Sequence, residues 1–447
     1  MDVRGLVVCG FLAGCASSTR DRAWLADELR ERTGAATRPD GGGELPRGVV
    51  IEDGLDEDEV VSLALWRNPA LRAELTRIDS ARATLDEARR PANPQLTVLG
   101  PIGPVSAVAT LLVPLESLWQ MPSRTAAAAR EADSTGEAVL MRALDLVRDA
   151  RLLHIELGLA AERLNVRRQL AGFSKEVARI AAVSASVGDA SPMNERVAAT
   201  DAQINLDASE TAELEASTAR ARLVTQLALG GAATHNVEAA FTTPASDLPA
   251  PDELVAIARA ARPDVRAAEL AVDAAAERAG WERSRRVALG AVVEGNWGQG
   301  DGGNMRLGGR AEIPLFGANP GGIGRADAEV LRVAAQHEVV ARTALLEVVA
   351  ARARVIQASR SRERYERDVL PALEEALTIA TSIFDSGDES YLVVLDVLRR
   401  SGEARLRRAE LLAEQRRAAC ELERALGARL VSANRVAERV RRQGAAP

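Results

Sequence analysis

The chain has 447 residues, with 57 basic against 64 acidic groups and a formal charge of -7, a balance that disfavours a polyanionic partner such as nucleic acid. Aromatic residues make up only 3% of it, too few to fill large β-sandwich cores, while alanine, leucine, valine and arginine dominate as they do in long helices. Lys175 is the only lysine, and it lies in Gly172-Phe173-Ser174-Lys175-Glu176 with no glycine-rich phosphate loop, which excludes Walker-type phosphate transfer and pyridoxal chemistry.

At the N-terminus Arg4 precedes a short apolar run, Leu6 to Leu12, that ends in Leu12-Ala13-Gly14-Cys15. This is similar to a bacterial lipoprotein signal: residues 1–14 would be removed, and Cys15 would carry lipid, palmitate included, ahead of a lipid-anchored extension over 15–55. The other reading is an ordinary thiol at the start of an intracellular chain. Cys9 would leave with the signal, so only Cys420 remains and no intrachain disulfide framework is available.

Asp56 with Glu59 three residues on is a capping-box pattern that opens a helix, and Pro91 and Pro94 close it near Arg90. Period-two alternation follows in Val105, Ala107, Ala109, Leu111 and Val113, predicting strands over about 95–115. The helical period then returns for a long helix over about 122–187, a turn, and a further helix to 230. After a Gly/Pro/Thr-rich linker at 231–251 the order repeats, with a helix, strands at about 287–315, a long helix at about 325–386, a turn and a last helix to 427. Residues 428–447 read as a C-terminal tail.

Four landmarks show that this is one unit copied twice. Asn68-Pro69 recurs as Arg262-Pro263, Val113-Pro114-Leu115 as Ile313-Pro314-Leu315, Val187-Gly188-Asp189 as Ser386-Gly387-Asp388, and Leu229-Gly230 as Leu426-Gly427, at offsets of about 194 to 200 residues. The predicted class is mainly α with a small β part. Each long helix would run about 90 to 100 Å, a length no compact globule of this size can use, so a helical tube or extended bundle is expected. If the hairpins cross a membrane their strands must close into a barrel, and four strands cannot. Two chains would give eight strands and three would give twelve.

The order Leu65-Trp66-Arg67-Asn68-Pro69, Ala92-Asn93-Pro94-Gln95-Leu96 and Val113-Pro114-Leu115 resembles the TolC-type outer membrane factors. In the second copy Ile313-Pro314-Leu315-Phe316-Gly317, Leu370-Pro371-Ala372-Leu373-Glu374-Glu375 and Gly387-Asp388-Glu389-Ser390-Tyr391-Leu392 resemble them more closely, so the likeness covers about 50–427. It implies a homotrimer with a shared β-barrel and an α-helical barrel, seated in the outer membrane and bound to its lipid. Such a protein would serve as the passive channel of a tripartite efflux system, with a periplasmic adaptor (membrane fusion) protein and an inner-membrane pump as partners. A lipid-anchored periplasmic scaffold coiled coil is the alternative.

The resemblance also assigns positions. The turns Gly188-Asp189-Ala190-Ser191 and Gly387-Asp388-Glu389-Ser390 are expected to contact the adaptor, and Asn194, Val393 and Asp396 to line the pore constriction. Family members often carry an acid where Val393 and Asn194 stand, so any acidic ring would rest on Asp396 alone. The other reading of Asp396 is an ion pair with Arg399 or Arg400 on its own helix. No catalytic or metal-binding constellation is expected: His154, His235 and His337 stand apart from cysteine or histidine at ligand spacing, and Gly298 to Gly303 reads as a hairpin loop. The chain is therefore read as a non-enzyme without cofactor, and metal ions and organic compounds are both compatible as cargo.

Overall fold

The computed structural model describes residues 18–35, 45–46, 48–51, 54–100, 107–188, 191–229, 248–285, 287–297, 304–312, 319–386 and 391–444. The chain divides into two units. Unit one comprises Met1–Leu25, Ala73–Met141 and Pro263–Thr343; unit two comprises Ala26–Arg72, Arg142–Arg262 and Ala344–Pro447.

In the first copy α1 (Arg22–Thr33) and α2 (Glu57–Arg67) precede α3 (Pro69–Ala88), strands β1 (Gln95–Leu99) and β2 (Ala107–Pro114), and helices α4 (Glu116–Val187) and α5 (Pro192–Gln226). In the second, α6 (Pro251–Ala261) and α7 (Pro263–Ser284) precede β3 (Ala288–Trp297), β4 (Asn304–Glu312) and α8 (Pro320–Arg364). A π-helical turn at Tyr365–Val369 joins α8 to α9 (Leu370–Ser386), and α10 (Tyr391–Leu426) and α11 (Leu430–Gly444) complete the chain. Matched helices have matched lengths: 11 residues each for α2 and α6, 35 and 36 for α5 and α10. At 72 residues, α4 is about 108 Å long.

Several boundaries differ from the sequence reading for local reasons. The helix opened by the Asp56 capping box stops at Asn68, which is extended because Pro69 follows it, and α3 restarts on that proline. Arg262 before Pro263 does the same in the second copy. The long helix begins at Glu116 rather than near 122 and holds Pro122 inside it, while its counterpart begins at Pro320 and shifts to π geometry for one turn. The presumed tail contains α11, and the presumed N-terminal extension contains α1. Most of the presumed linker lies outside the described residues, and Pro251 already opens α6.

Unit one holds a single antiparallel sheet in the order β1-β2-β3-β4, so the hairpins of the two copies pair through β2 and β3. Beside it Arg124 Nε and Thr125 Oγ1 each donate to Ala88 O at 3.1 Å, closing the free C-terminal carbonyls of α3. Leu85, Ala88, Ala128 and Ala129 form a small core there.

Unit two is held by three shallow cores between neighbouring helices. Ala150, Leu157 and Ala160 of α4 meet Ala216, Ala219 and Leu223 of α5; Ile155 and Leu159 of α4 meet Ala409 and Ala413 of α10; Val348, Ala351 and Val355 of α8 meet Ala418, Leu422 and Ala425 of α10. The helices thus stand in a row, α5, α4, α10, α8. Alanine at spacings of three and four allows the close approach a core this thin requires.

Capping groups tie the row at its ends. Asn68 Nδ2 donates to Gln226 O at 2.9 Å, and in the second copy Arg262, with its side chain 1% exposed, donates to Ala425 O and pairs with Glu347 at 2.7 Å. Arg32 of α1 donates to Ala261 O at 2.6 Å and Gly427 O at 2.8 Å. Its partner Glu28 is also held by Arg439 of α11. Burial pushes the Glu28 carboxyl up, but the hydrogen bonds and charges of Arg439 and Arg32 outweigh this and leave it below the usual range.

Candidate functional site

The four strands sort their side chains by face. Successive residues of a strand point to opposite sides, so the register assigns every residue. Leu96 lies opposite Leu111, Leu111 opposite Val293 and Val293 opposite Leu307, and the same side carries Val98, Ala109, Gly295 and Met305. Completing it are Ala107, Val113, Leu289, Ala291, Trp297, Gly309 and Ala311. No charged or hydrogen-bonding side chain occurs on this side apart from the indole of Trp297, which stands at the end of β3.

The other side is mixed: Gln95, Thr97, Thr110, Glu294, Asn296, Asn304, Arg306, Arg310 and Glu312 stand on it among Leu99, Val108, Leu112 and Val292, with Glu294 directly across from Arg306. Every charge of the sheet is on it. The apolar side is not covered by protein, since Leu96 is 66% and Leu307 82% exposed. A wet apolar face of this kind is unfavourable, at about 25 cal/mol for each Å² of apolar surface left in water. Hydrocarbon outside and water inside a barrel fit the two faces. The edge strands β1 and β4 each leave one row of backbone groups unpaired, which a further strand must satisfy. Among the described residues no helix is long and apolar enough to cross a membrane.

The first helix-to-helix turn is partly described. Gly188 has φ +87°, a left-handed conformation that closes α4, and Ser191 accepts from Asn194 N at 3.3 Å to cap α5, with Pro192 at its first turn. Asp189, Ala190 and the whole Gly387-Asp388-Glu389-Ser390 turn lie outside the described residues, as does Cys15. Asn194 is half-buried at the start of α5, and Val393 is exposed on α10. Asp396, one turn beyond Val393, pairs with Arg399 at 3.2 Å and Arg400 at 2.8 Å, so within a single chain the same-helix ion pair forms. It borders an open depression of about 400 Å³ with Arg167, Asp201 and Glu403.

Unit two also contains a buried charged cluster that sequence reasoning missed. Arg151 of α4 lies between Glu57 of α2 and Glu423 of α10, at 3.1 and 2.5 Å, and Arg416 reaches Glu57 at 2.8 Å. The carboxylates are more than 350 residues apart in sequence, and no local spacing signals their meeting. Burial pushes the nearby Cys420 thiol up to about 12, which removes it from thiolate chemistry at neutral pH. His154 is 1% exposed, and burial holds its pKa below the ordinary value. Its Nε2 lies 2.9 Å from Leu55 O, so the neutral ring donates there. These groups staple helices together. Among the described residues no cluster of three or more His, Cys, Asp or Glu could hold a metal ion.

Known proteins share this arrangement. The model of the family "Outer membrane efflux protein" matches residues 254–428, most of the second copy. The cobalt-zinc-cadmium resistance protein CzcC of Cupriavidus metallidurans is 29% identical over 386 residues, covering 83% of this chain and 89% of CzcC. Among solved structures, CusC, described for its folding and transmembrane channel formation, superposes with a TM-score of 0.71 at 20% identity, covering 84% of this chain and 93% of CusC. The outer membrane protein VceC of Vibrio cholerae gives 0.70 at 15% identity, over 83% and 96% of the two chains.

Proposed function

We propose that the chain is a TolC-type outer membrane efflux protein, the passive outer-membrane channel of a tripartite pump that exports divalent metal cations. The observation that carries the channel reading is the sheet, whose charges all fall on one side and whose other side is apolar and uncovered. A soluble scaffold would leave that apolar side in water. Three copies close the barrel, β4 of each pairing with β1 of the next, and twelve strands give a water-filled lumen lined by the polar face. Energy comes from the inner-membrane pump, because a duct without catalytic groups can only conduct.

The cargo assignment rests on the likeness to CzcC, which runs through most of both chains. The turns at Gly188-Asp189-Ala190-Ser191 and Gly387-Asp388-Glu389-Ser390 would meet the adaptor, and Cys15 would carry the lipid that anchors the N-terminus. Asn194, Val393 and Asp396 would narrow the tunnel near those turns. Contact of the helices in an assembled trimer would have to compete with the Asp396 pairs to Arg399 and Arg400, exposed pairs worth about 0.3 to 0.5 kcal/mol.

Growth of a deletion strain on cobalt, zinc and cadmium salts, beside dyes and antibiotics, tests the cargo. Sensitivity to the metals alone, restored by the gene on a plasmid, is expected. Sensitivity to organic compounds with unchanged metal tolerance would overturn the metal assignment and leave the channel standing.

A further inference from the structure

The apolar side of the sheet does not stop where the strands do. Leu115 N donates to Leu289 O at 2.8 Å, so Leu115 keeps the alternation of β2 and falls on the same side as Val113 and Leu289. Leu115 and Leu289 are exposed, as is Val287 just before β3. Ser117 is buried, its Oγ donating to Pro114 O at 2.8 Å as α4 begins, and this leaves Leu118 and Trp119 outward, 42% and 43% exposed. The helix end of the sheet thus carries one apolar rim, built from β2, β3 and the first turn of α4.

Charge resumes beside this rim. Arg90 after α3 and Arg283 and Arg285 at the end of α7 are exposed. Arg285 covers the ring of Trp281, 5.2 Å from its centroid, so that tryptophan is not part of the rim. Arg124, the first basic residue of α4, is turned away, its guanidinium donating to Ala88 O and Arg90 O. The second copy has no counterpart, because α8 opens on Pro320-Gly321-Gly322 and bears no exposed large apolar side chain before Leu331.

Lengths along the chain say what meets the rim. β3 has 10 residues, about 33 Å along the strand, and a tilt of about 40° brings this to about 25 Å, the height of the apolar band of an outer-membrane barrel. Trp297 stands at one end of that span, and Trp119 lies one helical turn past the other, about 6 Å beyond Leu115. The headgroup region of a bilayer is about 5 to 7 Å thick on each side. Further copies add at the edge strands β1 and β4, whereas the rim is on the middle strands, so they leave it uncovered.

We infer that the first turn of α4 is immersed in the periplasmic leaflet, with Leu118 and Trp119 seated at the level of the phospholipid headgroups, so that the membrane ends on the helical part of the first copy rather than at the strands. The assignment rests on the channel reading for the presence of a membrane and adds where its periplasmic surface lies. An indole, apolar in body with one polar edge, suits that level, and Trp297 marks the opposite boundary.

The test uses the full chain reconstituted in phosphatidylcholine vesicles whose acyl chains carry bromine near the carbonyl end or near the methyl end. The difference in fluorescence between the wild type and Trp119→Phe isolates Trp119. This component should lose about half its intensity with bromine near the carbonyl end, less with bromine near the methyl end, and should be poorly quenched by aqueous acrylamide. Acrylamide quenching as strong as that of free tryptophan, with no effect of bromine, overturns the inference, because the rim then stands in water. Shielding from both quenchers overturns it too, since protein then covers the rim.

Leu307→Trp, made in the Trp119→Phe chain, reports on the sheet itself. Bromine quenching of the Leu307→Trp component without quenching of Trp119 places the boundary at the strands and leaves the channel reading standing. Quenching of neither overturns both.

Discussion

Leu307 and Gly308 are neighbours in β4 that face opposite ways, and an arginine at each tests which side of the sheet meets lipid. Leu307 closes the lateral row Leu96, Leu111, Val293, Leu307, whereas Gly308 closes the row Gln95, Leu112, Val292, Gly308 beside Arg306. As the fourth residue of Asn304–Glu312, Leu307 sits near the middle of its strand. There a lipid-facing arginine costs about 2 to 4 kcal/mol per copy, a factor of ~30 to ~800 in assembly, and three copies multiply it. The same side chain at Gly308 faces water, and a Cβ there has nothing within 4 Å. Leu307→Arg should therefore lose the heat-modifiable oligomer from outer-membrane fractions while Gly308→Arg keeps it. Equal yields of oligomer from the two variants would refute the two-faced reading of the sheet.

Removing Arg262, which donates to Ala425 O from a buried position and shares Glu347 with Arg424, should cost about 1 to 3 kcal/mol; Arg262→Ala checked by denaturant unfolding of the extracted protein should show it, against a small effect for Arg399→Ala at the surface. His154 is neutral in the folded chain and its pKa is depressed by burial, so the unfolded chain binds the extra proton first. Stability from this group is full above about pH 6.5 and falls as the pH drops below it, by at most about 1.4 kcal/mol per unit, and His154→Gln should flatten that limb of a pH series of melts. Gly188→Val strains a left-handed position by about 1 to 2 kcal/mol in a turn proposed to meet the adaptor, so metal resistance should drop while the oligomer remains; full resistance at equal expression would separate that turn from the adaptor.

The duplication, the strands and the long helices were legible because each is a local pattern: proline at fixed positions, period two, or period three to four. The capping box at Asp56 is one such pattern, and both of its hydrogen bonds form. The break at Asn68 was written in the sequence too, in the proline that follows it, but the helical period runs on through that point and masks it. Helix α11 carries Ala433, Val436 and Ala437 on one buried side, a signal diluted by Arg435, Arg439, Arg441 and Arg442 around it. The pairs that fix the helices were not legible at all. Arg32 reaches Gly427 and Arg439 reaches Glu28 across some 400 residues, and an arginine that will be buried looks the same in sequence as one on a solvated face.

Arginine rather than lysine suits these buried ties for a physical reason. The cores of unit two are one side chain deep and built largely of alanine, so little apolar area secures each helix and polar ties must fix its height and rotation. The ties are two-handed. Arg32 donates to Ala261 O and Gly427 O, Arg151 sits between Glu57 and Glu423, and Arg424 bridges Asp145 and Glu347. A guanidinium offers five donors in a rigid plane and carries its charge at any physiological pH, so one residue can hold two elements at a defined angle. A lysine ammonium presents a point charge on a flexible stem, and burial shifts it towards the neutral form. In a row of helices that must keep matched heights along its length, a Lys replacement at Arg32, Arg151 or Arg424 would hold one partner and release the other.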